Sequence, residues 1–180
     1  HWDVVAADAL RKDVPFFVPH FGDRETIKAA GFTDVRVLTG NPEFEGVKLI
    51  KTGGQHGSDA VLQAAYDLLG EVCGVFLQHP SEKSLYLAGD TVYNAYVQGN
   101  LATFRPEVVV LNCCDAQVSG FGSIIMSKED VHEVCRQVPA ATIVASHMEA
   151  VNHATLTRPA LRRYLADNSL TDRVLVPEDG

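Results

Sequence analysis

The distribution of apolar and polar residues along the chain alternates short apolar runs with longer amphipathic segments. The apolar runs predict strands, and apolar residues at three- and four-residue spacing predict helices. Strands dominate the early part of the chain and alternate with helices later, which predicts an α/β fold with helices on the outer faces of sheet layers. Strands are predicted at 15–19, 35–38, 47–51, 73–78, 84–87, 108–111, 142–145 and 173–176, and helices at 3–12, 24–30, 59–69, 92–102, 127–137 and 155–166.

Three local signals sharpen this assignment. Residues 108–111 form a continuous apolar run, which predicts a strand that is buried on both faces. Ser127 followed by Asp130 is a capping box and predicts the start of a helix. Asp3 is a candidate N-cap of the first helix.

The composition narrows the class of protein. The 180 residues are 46% hydrophobic and 21% charged, which suits one globular domain or a part of a larger one. A net charge of −8 without a Lys/Arg cluster argues against a nucleic-acid partner. No apolar run is long enough to span a bilayer and no signal peptide is recognisable, so neither membrane insertion nor secretion is expected. The expected partner is a small-molecule substrate and the expected location is the cytoplasm, whereas the oligomeric state is left open.

The four cysteines do not follow the spacing of a zinc-binding motif. Cys113 and Cys114 are adjacent and make a poor structural disulfide. Free thiols in a reducing compartment are therefore predicted for these two residues and for Cys73 and Cys135.

Three potential metal ligands each follow the end of a predicted strand. They are His56, Asp90 and His147. Because the carboxyl ends of strands in layered α/β folds form the rim where ligand sites collect, these side chains are expected to meet. Two imidazoles and a carboxylate suit zinc, manganese or iron. Taken singly, a histidine after a strand is more often a hydrogen-bonded surface or loop residue, and the aspartate is equally well explained as a helix cap. It is their combination that favours a metal site.

The motifs around these residues resemble those of metallo-β-lactamase-fold hydrolases. The segment 87–91, Leu-Ala-Gly-Asp-Thr, is similar to the strand-end Gly-Asp-Thr of that superfamily, and Gln55-His56-Gly57 is similar to its second metal motif. The segment 146–153 resembles the C-terminal motif of one hydrolase branch. The most similar branch is the broad group of cytoplasmic hydrolases that includes sugar-lactone-cleaving enzymes.

The resemblance implies an αββα sandwich, of which residues 1–180 are a single domain that forms the C-terminal two-thirds. It implies two divalent metal ions, with zinc expected first and manganese or iron as alternatives. His56 would complete the shell of the first metal, His147 and His1 would bind the second, and Asp90 would bridge the two and orient the nucleophile as the catalytic residue. His1-Trp2-Asp3 fits the trailing end of the H-x-H-x-D-H hallmark, whose other ligands would lie upstream; His1 is alternatively a tag remnant. Without the upstream ligands, this chain is expected to bind metal weakly.

The implied function is hydrolysis of an ester, lactone or phosphodiester-type substrate by metal-activated water. The alternative is an inactive or truncated family member that serves as a binding or structural domain. Glu149 is a candidate partner of a metal-bound imidazole. His153 is a candidate substrate contact, with structural hydrogen bonding as its alternative. His20, His79 and His132 are predicted to lie outside the site.

Overall fold

The computed structural model describes residues 2, 4–149 and 151–179. Its helices are α1 (Val4–Ala9), α2 (Phe21–Ala29), α3 (Asp59–Leu69), α4 (Ala95–Phe104), α5 (Lys128–Gln137) and α6 (Arg158–Asp167). Its strands are β1 (Phe16–Val18), β2 (Val35–Val37), β3 (Glu43–Phe44), β4 (Val47–Gly53), β5 (Cys73–Gln78), β6 (Leu85–Leu87), β7 (Val108–Asn112), β8 (Gln117–Val118), β9 (Gly122–Ser123), β10 (Thr142–Ser146) and β11 (Val174–Leu175).

A seven-stranded mixed sheet in the order β11-β10-β7-β6-β5-β4-β3 organises the fold. Strands β6, β7, β10 and β11 are parallel to one another. Strand β5 is antiparallel to both β4 and β6, so β4 runs in the same direction as β6. The carboxyl ends of β4, β6, β7 and β10 therefore lie at one edge of the sheet. This arrangement confirms the predicted α/β class and places the loops that follow these strands side by side.

The two faces of the sheet differ in burial. One face carries Phe76, Tyr86 and Ile143, which pack with apolar residues of α4, α5 and α6 in the main core. The opposite face carries a row of paired apolar residues that are only partly buried or exposed. The prediction that the strand at 108–111 is buried on both faces is thus wrong, because only alternate residues point into the core. The row consists of Val75, Leu87, Val110, Val144 and Leu175.

Helix starts are set by short polar side chains. Asn94 accepts hydrogen bonds from the N–H groups of Tyr96 and Val97, so α4 begins after Asn94 and not at 92. Thr157 caps α6 in the same way, which corrects the predicted start at 155. The capping box that begins at Ser127 is confirmed. The predicted N-cap Asp3 lies outside the described residues.

Strand β4 runs further than predicted. It continues to Gly53, which pairs with Cys73, two residues beyond the predicted end at residue 51. The two-residue strands β3, β8 and β9 were not predicted because they are too short to leave a periodic pattern. Within the part of the chain that the structure describes, no helix has the length and apolar character needed to cross a membrane.

Candidate metal-binding active site

Three of the predicted site residues line one cavity. His56 follows β4, Asp90 follows β6 and His147 follows β10, and all three border a cavity of about 420 Å³. The parallel direction of these strands explains why residues so distant in sequence lie together. The other lining residues are Leu69, Gln117, Val118, Ile124, Ile125, Val151 and His153.

Asp90 is held in place by its neighbours. Its side chain accepts a hydrogen bond from the amide nitrogen of Asn112 at 2.6 Å, and only 8% of the residue is exposed. The preceding Gly89 has a φ of +72°, and a Cβ there would lie 2.7 Å from the carbonyl oxygen of Cys73. Only glycine fits this tight approach, so the strand end can turn and deliver Asp90 to the cavity.

The loop carrying His56 is tied to the loop carrying Asp90. The N–H of Gln55 donates to the hydroxyl oxygen of Thr91 at 2.9 Å, and the Gln55 carbonyl accepts from the N–H of Val92 at 3.0 Å. These hydrogen bonds fix the separation of the two candidate ligands through the backbone.

His56 is half-buried, and both nitrogens of its imidazole are shielded from solvent. Burial is the main cause that lowers its pKa below the ordinary 6.5, and His147 and His153 lower it further, against the opposing effects of Asp90 and of the Leu69 backbone. Neither ring nitrogen has a hydrogen bond to any residue that the structure describes, although both are inaccessible to solvent. A buried imidazole without a partner is costly, and a metal ion would satisfy one of its nitrogens.

His147 lies in a strained loop next to the buried Cys114. Its φ is +59°, in the left-handed region that non-glycine residues rarely adopt. The Sγ atom of Cys114 lies 3.6 Å from its Nδ1. Burial raises the pKa of the Cys114 thiol, which stays protonated at neutral pH.

Glu149 and His153 take different positions. The carboxylate of Glu149 pairs with the guanidinium of Arg158 at 2.8 Å, and Glu149 is not among the residues that line the cavity. Arg158 is 9% exposed and also pairs with Asp179, so this cluster fastens the loop that follows His147. His153 lines the cavity, as expected of a substrate contact, and its Nδ1 lies 3.2 Å from the side-chain oxygen of Asn152.

The remaining histidines do not line this cavity. His20 contacts Glu71 at 3.1 Å, and His79 lies 3.0 Å from the hydroxyl of Ser81 in the β5–β6 turn. His132 lies 3.3 Å from the hydroxyl of Tyr164 and joins α5 to α6. The predicted ligand His1 lies outside the described residues.

The donor set suits a divalent metal ion. It combines two imidazoles with a carboxylate, and the unpartnered nitrogens of His56 are consistent with a missing ligand. Within the described ranges, however, no group of three or more His, Cys, Asp and Glu side chains is spaced closely enough to hold a metal ion. The residue types therefore suit a metal, whereas metal binding by these particular side chains stays a prediction.

Sequence comparison places the chain among known proteins. The chain is 44% identical over 180 residues to UPF0173 protein YddR of Bacillus subtilis (strain 168), and the match covers all of this chain and 70% of that protein. The chain belongs to the UPF0173 family. No protein-family model matches the sequence.

Solved structures extend the comparison of this UPF0173 member. A possible metal-dependent hydrolase from Veillonella parvula DSM 2008 has a TM-score of 0.97 and 38% identity, over 100% of this chain and 70% of that one. The isothiocyanate hydrolase from Delia radicum gut bacteria has a TM-score of 0.95 and 42% identity, with the same coverage of 100% and 70%. The metallo-β-lactamase fold protein YhfI from Bacillus subtilis has a TM-score of 0.65 and 11% identity, over 98% of this chain and 68% of that one, and it shows the fold alone. These neighbours confirm the metallo-β-lactamase fold, support a general hydrolase role and suggest dependence on divalent metal.

Proposed function

We propose that this UPF0173 protein hydrolyses a small, uncharged electrophile that carries an apolar group, and that an isothiocyanate is the first candidate. The observation that carries the proposal is the lining of the cavity beside His56, Asp90 and His147. Five of the ten described lining residues are aliphatic, and the other five are three histidines, Asp90 and Gln117. A cavity with apolar walls and a few convergent polar groups is typical of small-molecule sites.

The charges of the residues that line the cavity favour some substrate classes over others. Among the described residues, no lysine or arginine lines this cavity. A phosphodiester or a carboxylate would therefore depend on the bound metal alone to offset its desolvation, and the carboxylate of Asp90 would oppose its binding. A neutral isothiocyanate, ester or lactone meets no such penalty. The geometry therefore favours carbon electrophiles over phosphodiesters.

The isothiocyanate hydrolase from Delia radicum gut bacteria, at 42% identity, supports the first candidate. In such a hydrolysis, water adds to the central carbon of R–N=C=S and a C–O bond forms. Both water protons pass to nitrogen, the C–N bond breaks, and the products are R–NH2 and COS. The apolar R group would occupy the aliphatic part of the cavity, which includes Ile124, Ile125 and Val151.

His56, Asp90 and His147 would hold the metal, with zinc as the first expectation and manganese or iron as alternatives. The chemistry that divalent metals supply when bound is Lewis-acid activation of water and of the electrophile. Asp90 contributes the negative charge of the site, and its burial beside Asn112 keeps that charge oriented. His56 contributes a neutral imidazole because burial lowers its pKa. His153 lines the cavity and would contact the substrate there.

A lactone or neutral ester is the second candidate, since it too binds without needing a lysine or arginine in the cavity lining. The full-length gene product should be assayed with phenethyl isothiocyanate, p-nitrophenyl butyrate, a γ-lactone and bis(p-nitrophenyl) phosphate, each with and without a chelator. We expect chelator-sensitive turnover of the isothiocyanate and little turnover of the phosphodiester. Preferred hydrolysis of the phosphodiester would contradict the substrate assignment, and no turnover of any substrate would favour the alternative of a binding domain.

A matched pair of variants tests the role of the cavity lining. Val118→Asp places a charge at the cavity wall, whereas Val5→Asp changes a residue that is 73% exposed on α1. The first variant should lower kcat/KM for the apolar isothiocyanate by roughly tenfold or more, because desolvating the new carboxylate opposes binding. The second should leave it unchanged. Equal kcat/KM in the two variants would show that the apolar group binds elsewhere.

A further inference from the structure

We infer that Asn112 is a positioning residue that orients the Asp90 carboxylate for metal binding and thereby sets metal affinity. This inference rests on the proposed function, because it requires Asp90 to be a ligand. Asn112 does not line the cavity itself. It acts through Asp90, to which its amide nitrogen donates at 2.6 Å.

Asn112 lies at the right place in the sheet for this role. It is the last residue of β7, which lies between β6 and β10, the strands that precede Asp90 and His147. It pairs in register with Ser146, the residue directly before His147. The side chain of one strand end therefore reaches across to the candidate ligand that follows the neighbouring strand.

The chemistry of an amide suits this task. The terminal torsion of an aspartate is broad, so the carboxylate needs an external contact to fix its plane. Asn112 supplies such a contact through its hydrogen bond to Oδ1. Because the amide is neutral, it orients the carboxylate without neutralising it, whereas a lysine or arginine would reduce its attraction for a cation. Partners of this kind typically change metal affinity by 10- to 100-fold.

A second asparagine provides a matched control. Asn100 donates to the Gly53 carbonyl at 2.9 Å and to the Tyr86 hydroxyl at 3.0 Å. Both of its partners are neutral, and Asn100 does not line the cavity. Its removal should affect stability without a specific effect on metal binding.

The test measures zinc affinity of the full-length gene product by competition with a chromophoric chelator, together with the visible spectrum of the cobalt-substituted protein. Asn112→Leu and Asn112→Ala both remove the amide that donates to Asp90. The leucine nearly conserves the side-chain volume, whereas the alanine reduces it. We expect zinc affinity to fall by about 10- to 100-fold in both and the cobalt spectrum to shift, while Asn100→Ala retains the wild-type affinity and spectrum. Circular dichroism identifies a variant that does not fold. If one Asn112 variant fails to fold, the zinc affinity and cobalt spectrum of the other one test the inference.

Two outcomes overturn the inference in different ways. Wild-type zinc affinity and an unchanged cobalt spectrum in a folded Asn112 variant would remove Asn112 from the site and leave the proposed function standing. Failure of the wild-type protein to bind zinc or cobalt at all would overturn the proposed function, and the inference with it. A loss of affinity as large in Asn100→Ala as in the Asn112 variants would show that both asparagines act on the fold alone.

Discussion

The hydroxyl oxygen of Thr91 accepts a hydrogen bond from the N–H of Gln55 at 2.9 Å and also contacts the Val92 carbonyl at 3.0 Å. Thr91 is fully buried. Since Gln55 precedes His56 and Thr91 follows Asp90, this one side chain joins the two loops that carry candidate ligands. The threonine of the Gly-Asp-Thr motif thus has a structural role that is separate from the aspartate beside it.

Thr91→Val should lower the free energy of unfolding by about 1–3 kcal/mol, because it leaves the buried N–H of Gln55 without its acceptor. Thr91→Ser keeps the hydroxyl and should lose less. Urea denaturation of the two variants and the wild type measures the difference. If Thr91→Val were as stable as Thr91→Ser, the hydrogen bond would not hold the loops together.

The four thiols should differ in reactivity. Burial raises the pKa of Cys113 to about 12, and it also raises the pKa of Cys73, Cys114 and Cys135, so accessibility separates Cys73 from the other three. All three are buried, whereas Cys73 is partly accessible. Because the thiolate is the reactive species, native protein should be alkylated first at Cys73, and at the other three only on unfolding. Mass spectrometry of an iodoacetamide time course measures this order, and rapid native alkylation of Cys113 would contradict the described burial.

The metal-free protein should lose stability in mild acid. Burial lowers the pKa of His56 from its ordinary 6.5, so the unfolded chain binds more protons there than the folded chain. The contribution of His56 is fully present above about pH 6.5 and is lost as the pH falls toward the lowered pKa. Urea denaturation of chelator-treated protein should show a weaker acid dependence for His56→Gln than for wild type, with His79→Gln in the exposed turn as control. If the stability of His56→Gln depended on pH in the same way as that of the wild type, burial would not be lowering the pKa of His56.

The sequence predicted the sheet and the location of the site because both follow from short-range patterns. Apolar runs identify strands, and His56, Asp90 and His147 are conspicuous because each is a polar residue just past such a run. Helix starts at Asn94 and Thr157 were placed too early because a cap is decided by a single hydrogen bond that periodicity does not register.

The supporting contacts of the site were not predictable in the same way. Asn112 directly follows the apolar run 108–111, so the rule that identified the candidate ligands could have identified Asn112 as well. Its pairing with Asp90, however, depends on β6 and β7 being neighbours in the sheet. Cys114 was classed as an ordinary free thiol, and its contact with His147 depends on the register of β7 and β10. Glu149 was expected beside a metal-bound imidazole; its carboxylate pairs with Arg158, nine residues further along the chain, and the expectation stays a prediction.

The most direct test of the central claim is the metal content and turnover of Asp90→Ala in the full-length gene product. If Asp90 is a metal ligand, elemental analysis should find reduced zinc, and chelator-sensitive hydrolysis should fall by roughly 10²-fold or more, on the scale seen when a preorganised charged group is removed. Asp172→Ala, at an exposed acidic residue after α6, should match the wild type in both measurements. An Asp90→Ala protein with wild-type metal content and near-normal turnover would contradict the assignment of this cavity as the metal-dependent active site.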